Sequence, residues 1–144
     1  MKILFLGHYR EGNTGWSRAA QELITSLDSV DADVVCRPVI LTGNGTPSKT
    51  VLKCENKSVK NCDVVIQNLL PHHMSFDGNF KKNIGIPFLE SVMSEDNDWL
   101  SYLENMSEIW ISSDHLIGTR LACRTNKVKN IKIPTDITKY KNIY

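Results

Sequence analysis

An open, doubly wound α/β sheet is the fold this sequence predicts: mainly parallel, Rossmann-like, with helices on both faces. Three observations predict it. Short, near-continuous apolar runs alternate with helical patterns along the chain, which implies crossover connections and a parallel sheet. The runs are too uniformly apolar for strands with one face in water, so they read as strands covered on both sides. The first run, Lys2-Ile3-Leu4-Phe5-Leu6-Gly7, passes through a glycine-bearing turn into an amphipathic helix.

Taken in order, Trp16, Ala19, Ala20, Leu23, Ile24 and Leu27 recur at three- and four-residue intervals and define the first helix. Asp33 to Leu41 is rich in β-branched residues and reads as a second strand, with Pro38 marking an edge or a bulge. Thr42 to Ser48, with Gly43, Gly45 and Pro47, is a loop, and Lys49 to Lys60 is weakly helical. Asp63 to Leu70 is a buried strand stopped by Pro71, and Asn83 to Ile86 a short one ahead of Pro87. Phe88 to Val92 continues as a turn or short helix. Asn97 or Asp98 would cap a helix over Trp99 to Met106. Glu108 to Ser112 reads as a strand, His115 to Arg124 as a helix, and Val128 to Ile133 as a last strand before Pro134. Ile3 to Leu6, Val64 to Leu69 and Ile109 to Ile111 are the expected central strands.

A length of 144 residues corresponds to one domain. Seventeen basic against sixteen acidic residues leave a net charge of +1, so no global field argues for nucleic acid as a partner. The late lysines, from Lys127 to Lys141, read as a solvated surface. No apolar run reaches the roughly 20 residues a transmembrane helix needs, and the N-terminal run reads as a strand rather than a signal peptide. Cys36, Cys54, Cys62 and Cys123 show no CxxC spacing and read as reduced thiols of a cytoplasmic protein. Cys54 and Cys62 with His72 and His73 match no common zinc spacing, so no metal is expected.

In a doubly wound sheet ligands bind beyond the carboxyl ends of the strands. Here those ends carry Gly7-His8-Tyr9-Arg10, Pro71-His72-His73, Glu90-Ser91 and Ser112-Ser113-Asp114. Gly12-Asn13-Thr14-Gly15-Trp16-Ser17 joins the first strand to a helix N-terminus, where unpaired amides and the helix dipole favour an anion. It is neither a dinucleotide fingerprint nor a phosphate loop, because no Gly-Lys-Ser/Thr follows. The segment reads equally as a ligand loop or as a tight βα turn. Glu90 reads either as a cleft-facing hydrogen-bond acceptor or as an acid at a helix start, and Asp114 reads most simply as a helix cap. Trp99 and Trp110 read as core; Trp16 covers either the loop or the sheet. No Gly-x-Ser-x-Gly elbow is present, which argues against a hydrolase triad.

Four segments, in order, resemble one family. Gly12 to Ala20 resembles the glycine loop and first helix of GT-B-type glycosyltransferases. Asn83-Ile84-Gly85-Ile86-Pro87-Phe88-Leu89-Glu90-Ser91 is similar to a segment in which that group carries a Glu followed by Ser or Thr. Asn105 to Asp114 resembles its "asparagine, then EIWV, then Ser" signature, and Ile131 to Tyr140 its interdomain hand-over. The resemblance implies residues 1–134 as the acceptor-side domain and 135–144 as the start of a linker or tail, with a donor-binding domain absent from this chain or supplied by a partner chain. It implies a nucleotide-sugar co-substrate, a glycosyl acceptor and a retaining, metal-independent transfer with no further cofactor. It implies His72, His73 and Glu90 as catalytic candidates. Arg10, Gly12, Asn13, Gly15, Trp16, Ser17, Ser91 and Asp114 are the substrate-binding ones. A stand-alone, flavodoxin-like ligand-binding or regulatory module is the alternative.

Overall fold

The computed structural model describes residues 1–88, 99–112 and 125–136. Six strands form one sheet: β1 (Lys2–Gly7), β2 (Asp33–Pro38), β3 (Val64–Asn68), β4 (Lys82–Gly85), β5 (Glu108–Ile111) and β6 (Val128–Asn130). Their order is β2-β1-β3-β4-β5-β6 and every neighbouring pair is parallel. Helices α1 (Gly15–Ser29), α2 (Lys49–Glu55) and α3 (Trp99–Glu104) and a 3₁₀ turn at Pro71–His73 complete the described elements. The expected α/β, Rossmann-like parallel sheet is the fold. Beyond β2 the chain returns across β1 to β3, so the direction of winding reverses between β1 and β3, where such sheets open a crevice.

Alternation along the strands assigns the layers. Ile84 joins Ile3, Phe5, Val34, Cys36, Val64 and Ile66 in a cluster under α1 and α2. A Cβ on the next residue, Gly85, would meet Met106 Cγ and Met74 Sδ at 3.1 Å, both in a second cluster around α3. In β5, Ile109 and Ile111 belong to that second cluster, whereas Trp110 packs against the first. The clusters therefore occupy opposite faces of one sheet.

Several boundaries differ from the sequence expectation. β2 ends at Pro38 rather than Leu41. Proline supplies no ladder donor, and the amides of Leu41, Thr42 and Gly43 bond instead to the Glu11 carboxylate. β6 spans Val128–Asn130, and Ile131 and Ile133 beyond it are exposed. The helical stretch after the loop closes at Glu55, where Arg37 binds the carbonyls of Glu55 and Lys57. β1, β3 and β5 are interior strands as expected, but Leu4 and Leu6 of β1 stay half-buried. The expected caps at Asn97 or Asp98, the helix from His115 to Arg124 and most of Phe88 to Val92 lie outside the described residues. Cys36, Cys54 and Cys62 are free thiols, the first two buried. Among the described residues no helix is long and apolar enough to cross a membrane.

Candidate functional site

β1 delivers His8 to the switch point, fully buried. Its Nδ1 lies 2.7 Å from the Val39 carbonyl oxygen. A carbonyl only accepts, so Nδ1 carries the hydrogen, and in the neutral imidazole Nε2 is then the acceptor. Nε2 is buried and has no partner among the described residues. The imidazole lies 5.8 Å from the Phe88 ring.

Tyr9 and Arg10 turn the other way, towards α2. Tyr9 Oη donates to Glu55 Oε2 at 2.7 Å, and burial, more than its neighbours, pushes the Tyr9 pKa up. Arg10 grips the same carboxylate with two bonds, Nε at 2.9 Å and Nη2 at 2.7 Å, and donates to the Gly45 carbonyl. A bidentate pair of this kind is strong and geometrically specific. Arg10, a substrate-binding candidate from sequence, is thus committed to holding the β1 exit against α2. Ser17 is committed too: it is fully buried and its hydroxyl donates to the Tyr9 carbonyl at 2.7 Å.

The rest of the glycine-bearing turn faces outward. Gly12 takes φ +66°, the left-handed region that glycine adopts without strain, and Gly12, Asn13 and Gly15 are exposed. Thr14 caps α1 by accepting from the Ser17 amide at 3.1 Å. The first turn of α1 carries Trp16, half-buried and stacked on Phe88 with ring centroids 4.8 Å apart.

Beneath that stack is a cavity of about 230 Å³ at the carboxyl ends of β3, β4 and β5. Trp16, Phe88 and Trp110 are its aromatic walls, and Ile86, Ile131 and Ile133 its aliphatic ones. Its polar lining comes from Asn68 and Ser112 and from the backbone where α1 begins at Gly15. Asn68 is buried, and its Nδ2 donates to the Ile86 carbonyl at 3.0 Å. That bond fixes the amide's orientation and leaves Oδ1 without a partner.

His72 and His73 sit in the 3₁₀ turn after β3 and do not line this cavity. Both are exposed, their rings 4.1 Å apart, with His72 5.8 Å from the Trp99 ring. Partial desolvation, then His72 and His8, hold the His73 pKa below the ordinary imidazole value. Gly15 and Trp16 therefore meet in one concavity, whereas His72 of the histidine pair packs on Trp99 of α3. Glu90, Ser91 and Asp114 lie outside the described residues. Among the described residues no group of three His, Cys, Asp or Glu side chains could hold a metal ion.

The sequence reading assigned no role to His8, Asn68 or Phe88 and counted Trp110 as core. Asn68 carries a usable signal: a polar amide ending the apolar run Val64-Val65-Ile66. No protein-family model, curated protein or solved structure matches this chain.

Proposed function

We propose that this chain is the acceptor-side domain of a GT-B-type glycosyltransferase that moves a sugar from a nucleotide-sugar to an acceptor hydroxyl. The observation that carries the reading is the aromatic-walled cavity between the N-terminus of α1 and the exits of β3 to β5. Aromatic faces pack against the C–H faces of sugar rings, and the α1 amides suit a diphosphate approaching across the cleft. In the transfer, the acceptor oxygen bonds to the anomeric carbon as the bond to the nucleoside diphosphate breaks, and the acceptor proton passes to the departing diphosphate. His72, His73 and Glu90 are the groups proposed to contact sugar hydroxyls and the charge developing there. Holding donor and acceptor in reacting geometry requires the donor-binding domain as well.

Calorimetric titration of the chain with nucleoside diphosphates and nucleotide-sugars tests this. The expected affinity is millimolar at best, on the order of 4 kcal/mol. With a donor-binding domain supplied, transfer is expected to appear and to fall in His72→Ala, His73→Ala and Glu90→Gln. Micromolar affinity for a nucleotide-sugar, or turnover by the chain alone, would contradict the half-enzyme reading. The strand order β2-β1-β3-β4-β5 favours a second reading, since it is the order of flavodoxin-like sheets. Micromolar binding of a flavin or other mononucleotide would select that stand-alone module instead.

A further inference from the structure

We infer that the inner end of the cavity takes an uncharged sugar ring and recognises it through a hydroxyl that donates to Asn68 Oδ1. This deepens the glycosyltransferase reading and rests on it. Asn68 is 2% exposed, and its amide nitrogen is tied to the Ile86 carbonyl. Rotating the amide would set two carbonyl-type oxygens against each other, so Oδ1 stays the unpaired atom. An enclosed acceptor without a donor is costly, and a ligand hydroxyl or N–H is what relieves it.

The rest of the lining excludes a charged occupant. No described residue around the cavity carries a formal charge. A phosphate or carboxylate pushed to the inner end would lose its hydration with no countercharge and would face an acceptor of its own sign. The walls of Trp16, Phe88 and Trp110 suit the C–H faces of a pyranose, and the hydroxyl rim supplies donors. An anionic portion of the same ligand belongs at the mouth, near the first turn of α1.

Methyl hexopyranosides, their single deoxyfluoro derivatives, the matching uronic acids and hexose phosphates are titrated against the 144-residue chain. Tryptophan fluorescence is followed, with Trp110→Phe to assign the signal. Fluorine occupies the place of a hydroxyl but cannot donate. One deoxyfluoro position is expected to weaken binding about tenfold in the native chain and negligibly in Asn68→Ala. The native-chain series stands by itself if Asn68→Ala fails to fold. A flat deoxyfluoro series, or tighter binding of uronic acids than of neutral glycosides at the same tryptophans, overturns the inference. If sugar transfer is nonetheless restored by a donor-binding domain, the glycosyltransferase reading survives that failure. Binding of mononucleotides with no response to any glycoside overturns both.

Discussion

Glu11 shows how much one side chain decides that no local pattern reveals. It sits four residues beyond β1 and accepts from the amides of Leu41, Thr42 and Gly43 and from the Thr42 hydroxyl, at 2.6 to 3.2 Å. Those bonds, led by the amides of Leu41 and Gly43, hold its pKa down at about 2. The folded value lies below the ordinary 4.5, so the stability it lends is complete above pH 4.5 and is lost as pH falls towards 2. Glu11→Gln is therefore expected to weaken the fold at pH 7 and to flatten the fall in stability below pH 4.5. Urea unfolding at neutral and acid pH checks this, and parallel curves for the two proteins would contradict it. Gly45 stands in the same corner, its amide bonded to the Arg10 carbonyl. A Cβ there would meet the Gly12 backbone at 3.0 Å. Gly45→Ala is expected to lower the melting temperature, whereas a methyl at Gly15 would meet nothing within 4 Å.

Elements that announce themselves in the sequence are those whose stability is local or uniformly apolar. β1, β3 and α1 fall where the apolar runs and the helical stripe place them. Thr14→Ala, which removes the α1 cap, is expected to cost about 1 kcal/mol in chemical denaturation. α2 is only seven residues long and depends on Arg10, Arg37 and Tyr9 binding Glu55, partners too far away in sequence to be read from it. The same reason hid the roles of Arg10, Ser17, His8 and Asn68, whose partners are set by the fold. The crossover from β3 to β4 shows the principle most plainly, because its one described element is a 3₁₀ turn. Buried Gln67 exchanges two bonds with the backbone of Ser75, and buried Asn83 two with that of Asp77. Each amide replaces the ladder partner the crossover backbone lacks. Gln67→Leu and Asn83→Leu are each expected to destabilise by about 2 kcal/mol, since a peptide donor and acceptor lose their partners. Losses within 0.5 kcal/mol, a range ordinary for surface changes, would show that water replaces the amides.

At the scale of the molecule, the carboxylates with lowered pKa are spread over the sheet. Glu11 and Glu55 fasten the β1–α1–β2–α2 side; Asp63 pairs with Lys81 at the start of β3, and Glu108 with Lys82 and Lys129 at the start of β5. Lys82, then the Trp110 indole N–H, holds Glu108 at about 2. Every one of these shifts has the same sign, so protonation weakens both sides together as pH falls below the ordinary carboxylate range. Ile84 and Gly85 are consecutive residues that face different clusters, which couples the two layers through one strand. Acid unfolding is therefore expected as a single transition, with tryptophan fluorescence and far-ultraviolet circular dichroism changing together. Salt separates the causes. The lysines of these pairs are exposed, so the pairs should weaken between about 0.05 and about 0.5 M NaCl, while Glu11 binds neutral amides and should not. Added salt is expected to remove part of the acid sensitivity and Glu11→Gln in added salt a further part, with Glu55, held by the largely buried Arg10 and by Tyr9, supplying the remainder. Two separated transitions, or an acid response that salt alone abolishes, would mean that the layers are held independently or that the exposed pairs outweigh the Glu11 anchor.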